Sequence, residues 1–430
     1  MYKYYVENGF AVYEDLTEGR RLSIPERQSL GMYEVGNPPC IEDESAYAAA
    51  LTNPVDGLQL REIAAAKQAK TAAVIVSDAT RQVPTNKVSA LVVKELVAGG
   101  VPLEGICFFV ALGVHRDATE EEMRTFLGEE LFGKVKIENH DPYSPDKLID
   151  LGYTVRKTPV KVNKKAYSCD LKITIGKVEL HEMAGYSGGR KNILPGVSSE
   201  ETILVNHRPA MIFDPGTGAG KKKGNPIHED MLEVAKMFGV DFSINFVVDN
   251  SGAPAKVFTG SLEGSHDAAT DYLDGFVRVR LPEKPDVFVV TPGVPLSIDM
   301  YQGVKALFAI QHVVDKDTVV LLYGDFPEGM NSEDYVLPLH MFQDLDEARQ
   351  WTWDHYRIQM DHTLPTIDML KAGVKIVVST PNVSDDEIRA IRMTPCQDLD
   401  EALKLAEALT GKEQPKVMFC PHPQRAVISY

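Results

Sequence analysis

The apolar positions of this chain gather into short runs rich in Val and Ile, separated by longer stretches whose apolar residues recur with a helical period. Residues 71–76 (TAAVIV) carry no charge and read as a buried strand. Residues 87–98 follow with a helical pattern, which Gly99 and Gly100 bring to a stop. The unit then repeats. Residues 105–112 read as a strand, and Glu120, Glu121 and Glu122 open the next helix with charges suited to its N-terminal dipole. Further strands are predicted at 171–178, 242–248, 255–259, 286–291, 318–323 and 374–379, with helices at 46–53, 59–66, 227–238, 263–273, 344–353 and 366–371. Up to about Pro39 the periodicity is weak and is compatible with a strand or two plus an arm.

Strands alternating with helices predict an α/β fold whose mostly parallel sheets are flanked by helices. At 430 residues the chain exceeds the size at which single cores stop growing, so two domains are expected. The segment LPEKP at 281–285 is the natural boundary. Residues 1–280 are then an N-terminal, cofactor-binding α/β domain, and 281–397 a C-terminal α/β domain. The helix and strand at 400–409 and 415–419 are expected to bring residues 398–430 back to the first domain, with the active site in the cleft between the two.

Charge and composition narrow the function. A net charge of -17 disfavours a nucleic-acid binder, which needs a basic footprint. It also makes local clusters of Lys and Arg informative, since a few cations in a pocket suffice to hold a small anion. No run approaches the ~18–20 apolar residues that span a bilayer, and the first residues lack a secretory apolar stretch, so a cytoplasmic protein without membrane partners is expected. Five scattered cysteines with no CxxC pair indicate neither a disulfide framework nor a thiolate zinc site, and reduced core thiols are expected.

In parallel sheets, sites gather beyond the carboxyl ends of the strands. Three such ends carry chemistry: DATRQVP at 78–84, GVHR at 113–116 and HEMAGYSGGRK at 181–191. Ser187, Gly188 and Gly189 are candidates for a backbone cradle around a phosphate. Two histidines on opposite faces of a substrate act as general acid and base, and a third can bind a metal. Of the eleven histidines, His115, His181 and His207 lie in or beside these segments; the others, His228 and His266 among them, take a structural reading. Arg81 and Lys305 are candidates to hold a carboxylate. Lys191 is open between a phosphate binder, a covalent attachment point and a solvated loop lysine. No HxxxH or HExxH spacing fixes a metal, and the basic loop at 214–226 lacks P-loop spacing. Residue types and spacing alone define a two-domain α/β enzyme that handles a small anion.

Through Asp78-x-Thr80-Arg81-x-x-Pro84, Gly113-Val114-His115-Arg116, His181, Ser187-Gly188-Gly189-Arg190-Lys191, Leu194-Pro195-Gly196, His207, Gly224-Asn225-Pro226 and Tyr301-Gln302-x-x-Lys305, the sequence resembles the lactate racemase family of nickel-pincer enzymes. The resemblance spans about residues 78–305. It implies a racemase or epimerase of a small anionic 2-hydroxy carboxylic acid. The implied cofactor is nickel held by a pyridinium-3,5-bisthiocarboxylic acid mononucleotide, joined to Lys191 as a thioamide. Because accessory proteins make this nucleotide, it can be absent from isolated protein. His207 is implied as the nickel ligand, and His115 and His181 as the acid/base pair. Arg81, Tyr301, Gln302 and Lys305 are implied for substrate, and Asp78 and Thr80 for the neighbourhood of the cofactor. Inversion at C2 is implied to proceed by reversible hydride transfer, which avoids a carbanion beside a carboxylate.

Two other readings compete. A non-catalytic binding protein could keep the anion pocket without the pincer. A zinc hydrolase is disfavoured, because the histidine spacing is wrong for it.

Overall fold

A computed structural model describes residues 1–430, apart from the side chain of Ile358. The chain divides into two units, one of residues 36–276 and one of residues 1–35 with 277–430.

In the unit 36–276, six strands lie in the order Pro254–Gly260, Phe242–Val248, Leu171–Lys177, Ala72–Ser77, Ile106–Ala111, Lys136–Asn139. Pro254–Gly260 is antiparallel to its neighbour; the other pairings are parallel. The interior strands read as unbroken apolar runs because both faces are covered, as parallel sheets require. All six residues of Ile106–Ala111 are buried, and so are the first five of Ala72–Ser77. The helices Leu60–Lys67 and Asn86–Ala98 place Leu60, Ala64, Val88, Val92 and Leu96 against Val74, Val76, Phe108 and Val110.

The second unit holds another six-stranded sheet, ordered Thr394–Pro395, Lys375–Ser379, Val319–Tyr323, Val287–Thr291, Val417–Pro421, Ser29–Met32, all parallel. An antiparallel meander of Tyr2–Glu7, Phe10–Asp15 and Arg20–Pro25 completes it. The meander turns Ala11, Tyr13, Leu22 and Ile24 into a core shared with Val287, Val319, Leu403 and Phe419. There the Tyr13 ring stacks on Phe419, with centroids 4.8 Å apart and planes 5° from parallel. The Tyr13 and Tyr323 hydroxyls lie 2.8 Å apart.

Two expectations are corrected by these pairings. Residues 398–430 do not return to the unit of residues 36–276. Val417–Pro421 inserts between Val287–Thr291 and Ser29–Met32, and the helix Leu399–Leu409 packs on that same sheet. The first 35 residues belong there as well, not with 36–280. Both choices are made by strand pairings hundreds of residues apart, which local periodicity does not encode. The thiols are only partly in the core: Cys107 and Cys420 are buried, Cys40 is exposed, and all five are free. Among the described residues, no helix is long and apolar enough to cross a membrane.

Because Phe419 joins the C-terminal strand to the meander, Phe419→Ala should cost about 3–5 kcal/mol. Urea unfolding of the full chain checks this. A change below about 1 kcal/mol would mean that the C-terminal strand does not carry this core.

Candidate active site

Leu171–Lys177, Ala72–Ser77 and Ile106–Ala111 are adjacent and parallel, so their carboxyl ends emerge side by side. Asp78 follows Ala72–Ser77, His115 follows Ile106–Ala111 and His181 follows Leu171–Lys177. Strand adjacency therefore gathers residues that lie about a hundred positions apart in sequence.

Each histidine is held by a different partner, and the partner sets its tautomer. Asp78 caps the short helix Ala79–Arg81 by accepting from the Thr80 N–H at 2.8 Å, and the Thr80 hydroxyl also donates to it. Its other oxygen lies 2.9 Å from His115 Nδ1. A carboxylate accepts, so His115 carries its proton on Nδ1 and keeps a lone pair on Nε2. The side chain is 42% exposed, which leaves that nitrogen reachable. The hydrogen bonds from His115 and Thr80 hold the Asp78 carboxyl below its usual value against the opposing effect of burial.

His181 has the opposite arrangement. The backbone N–H groups of Met183 and Ala184 both donate to its Nδ1, each at 3.2 Å. The neutral ring must then carry its proton on Nε2. Burial, and then the charge of Lys191, hold its pKa well below the usual histidine value, with Arg81 and His207 adding to the effect and Glu182 opposing it.

His207 closes the helix Glu200–Asn206, and its Nδ1 donates to the Ile203 carbonyl at 2.9 Å. This leaves the Nε2 lone pair available. Burial and the nearby Lys191 push its pKa down to about 4, so the ring is neutral at physiological pH.

Lys191 is flanked by two buried anchors. On one side Arg190 donates through Nη2 to the carbonyls of Ala184 and Tyr186 at 2.9 and 2.8 Å, tying down the hairpin that carries His181. On the other side Asn192 donates to the carbonyls of Ile75 and Ile175, at 3.2 and 2.9 Å, and pins the loop to two strand ends. The Gly196 N–H donates to the Lys191 carbonyl, and the Gly113 N–H to the Gly196 carbonyl at 2.9 Å, which joins this loop to the one bearing His115. Burial, then the charge of Arg81, push the Lys191 amine down to about 7, so a large fraction is unprotonated at neutral pH.

In the Ser187-Gly188-Gly189 turn most of the backbone donors are already engaged within the protein. The Ser187 N–H donates to the Glu179 carbonyl, and the Gly189 N–H to Asn245 at 3.0 Å. Two of the three backbone donors are therefore spent inside the protein. The glycines are needed for close packing: a Cβ on Gly188, at φ +81°, would fall 2.7 Å from Val178.

Tyr301, Gln302 and Lys305 lie in the other unit, on the short helices Met300–Gly303 and Lys305–Ile310. Asp299 caps the first by accepting from the Gln302 N–H. The buried Tyr301 donates its hydroxyl to Asp361 at 3.0 Å, and its ring packs 4.4 Å from that of His362, whose Nδ1 donates to the Tyr301 carbonyl. Burial and Asp361 raise the Tyr301 pKa. Sequence reading named Arg190 only as part of the SGGRK motif, without an anchoring role, and gave Asn192, Asp361 and His362 no site role. The Asp78–His115 pair was accessible to it, given that both follow strands predicted to be parallel.

Residues 17–220 match the family model described as lactate racemase N-terminal domain, and residues 282–428 the one described as lactate racemase C-terminal domain. The lactate racemase of Thermoanaerobacterium thermosaccharolyticum is 29% identical over 395 residues, covering 90% of each chain. That of Lactiplantibacillus plantarum is 27% identical over 378 residues, covering 86% of this chain and 88% of its own. Among solved structures, the lactate racemase apoprotein from T. thermosaccharolyticum superposes with a TM-score of 0.85 at 25% identity, over 96% of this chain and 98% of that one. A Thermotoga maritima protein shares the fold at a TM-score of 0.60 and 16% identity, over 86% of this chain and 97% of its own. Fold and relatives together define an α/β isomerase of the racemase class. The chain belongs to the lactate racemase family.

The depressed Lys191 pKa has a stability consequence of definite sign. The unfolded chain binds a proton there up to about pH 10.5 and the folded chain only up to about 7, so the Lys191 contribution to stability improves as pH rises across that window. Lys191→Met should therefore melt higher than the parent at pH 7, with the gap narrowing towards pH 10. A variant that melts at or below the parent at pH 7 would contradict the depressed lysine pKa.

Proposed function

We propose that this racemase inverts C2 of a small 2-hydroxy acid, using a nickel-pincer nucleotide tethered at Lys191. The observation that carries the reading is the pairing of Lys191 with His207. An amine held near pKa 7 is nucleophilic at neutral pH, as attachment to a cofactor requires. An imidazole with Nδ1 bound to a backbone carbonyl presents Nε2 to a metal, and such a second partner orients ligating histidines. Among the described residues, no group of three or more His, Cys, Asp or Glu is placed to hold a metal ion, so His207 would be the protein's contribution and the nucleotide would supply the remaining ligands. The residues present thus fit the group.

When bound, the pincer nucleotide supplies an acceptor for the C2 hydride. The chain's own residues handle protons and orientation. His115, with its Nε2 lone pair and Nδ1–H bonded to Asp78, takes the substrate hydroxyl proton, and Asp78 stabilises the resulting imidazolium. His181 is proposed as the second group of the acid/base pair, and it gives a proton only after it has itself gained one, since a neutral ring does not release its Nε2–H. For the opposite enantiomer the two histidines exchange the roles of base and acid. Arg81 would offer a fork to a carboxylate, and Tyr301, Gln302 and Lys305, in the other unit, are the further residues proposed for the substrate. Asp78 and Thr80 border the cofactor. Lactate, the substrate in the names of the two relatives, is the first acid to test.

Intact-mass and metal analysis after co-expression with the cofactor-making accessory proteins tests this reading. An adduct on Lys191 with one equivalent of nickel is expected, and His207→Ala should keep the adduct and lose nickel. Absence of both from the parent despite those partners would overturn the assignment. In the loaded enzyme, C2-deuterated substrate should racemise with its label retained. Washout of that label into water would replace hydride return with plain deprotonation.

A further inference from the structure

Behind the Lys191 loop lies a cavity of about 230 Å³. It is smaller than the ~300–1,000 Å³ typical of sites for drug-sized ligands, and suits a ligand of a few heavy atoms. Arg190, Lys222, Lys223, His228 and His266 line it, whereas Lys191, His181 and His207 do not.

Its wall carries Arg190, Lys222 and Lys223 against Glu229, Glu263 and Asp267. The three carboxylates on the wall already have partners: Glu229 pairs with Arg156, Glu263 with Lys236, and Asp267 with Lys222. Arg190 is only 1% exposed, and its hydrogen-bond partners are two carbonyls and His266, whose Nε2 lies 2.7 Å from Nη1. Both Nη2 N–H groups are used on the two carbonyls, His266 Nε2 also faces the Ser187 carbonyl at 2.9 Å, and Arg190 Nε has no partner. Asp267 acts on Arg190 only through its charge, without a hydrogen bond to it, and a closer counter-charge would relieve the cost of burying the cation. His228, 9% exposed, also leaves Nδ1 without a partner. Burial and the adjacent Arg190 push its pKa down to about 3, so the ring is neutral and can donate one N–H. Lys223 is exposed at the rim.

We propose that this cavity is a binding site for a small phosphate-type oxyanion, with Arg190 as counter-charge, neutral His228 as donor and Lys223 at the entrance. Phosphate is favoured over a planar carboxylate because the donors come from three separate elements: the loop before Lys191, the loop before Pro226–Phe238, and that helix itself. Two sources share the chemistry, free phosphate and the phosphate of a nucleotide tethered at the adjacent Lys191. The site does not rest on the cofactor assignment.

The test is titration of the full-length apoprotein with inorganic phosphate by isothermal calorimetry. One saturable equivalent per chain is expected. Lys223→Glu should weaken binding about tenfold, the scale of one lost charge-assisted contact, and Arg190→Met should abolish it. Lys223 is exposed, so Lys223→Glu keeps the test valid should Arg190→Met fail to fold. If the parent shows no saturable binding, or Lys223→Glu binds as the parent does, the site is refuted. Repeating the titration on cofactor-loaded protein identifies the source: phosphate excluded means that the tethered nucleotide fills the site, and phosphate still bound means a free ion does. If the protein cannot be loaded, the apoprotein result still decides the proposal.

Discussion

The anchoring of Lys191 between Arg190 and Asn192 is the constraint on which the candidate site depends. Arg190 fixes the hairpin that presents His181, and Asn192 ties the same loop to the carbonyls of Ile75 and Ile175 at the ends of two sheet strands. The Lys191 amine stays in a low-dielectric pocket beside Arg81 and loses affinity for its proton.

Hydrogen-bond partners govern the histidines. Their tautomers follow from whether Nδ1 meets a carboxylate, a pair of backbone N–H groups or a backbone carbonyl. Each partner lies within four residues of its histidine or at the end of the neighbouring strand. One residue type is thereby given two tautomers in one unit, Nδ1–H at His115 and His207 and Nε2–H at His181. A neutral His181 and a neutral His207 beside a partly neutral lysine also avoid a concentration of positive charge that burial would make expensive.

Much of the α/β architecture was legible along the chain. Strands buried on both faces, such as Ala72–Ser77 and Ile106–Ala111, must be continuously apolar, and amphipathic helices such as Pro226–Phe238 must repeat with a helical period. The site was legible where strand-end loops carried His, Arg or Lys beside glycine. It was illegible where a side chain acts as an anchor: Arg190 looks like any loop cation and Asn192 like any turn residue, because only their burial against specific carbonyls gives them a role. The glycines misled for a related reason. Gly188 accommodates Val178 and Asn245 rather than opening a row of free backbone donors.

Sequence alone determined the secondary elements, the parallel character of the sheets and the motif residues that carry chemistry, since these depend on local period and residue type. Tertiary structure alone decided that residues 1–35 and 398–430 complete the second sheet, that Asp78 faces His115, and that Arg190 is buried with no carboxylate among its hydrogen-bond partners. Each of these is a pairing between positions distant in sequence. Such pairings are selected by the joint burial of whole faces, and no segment holds that information by itself.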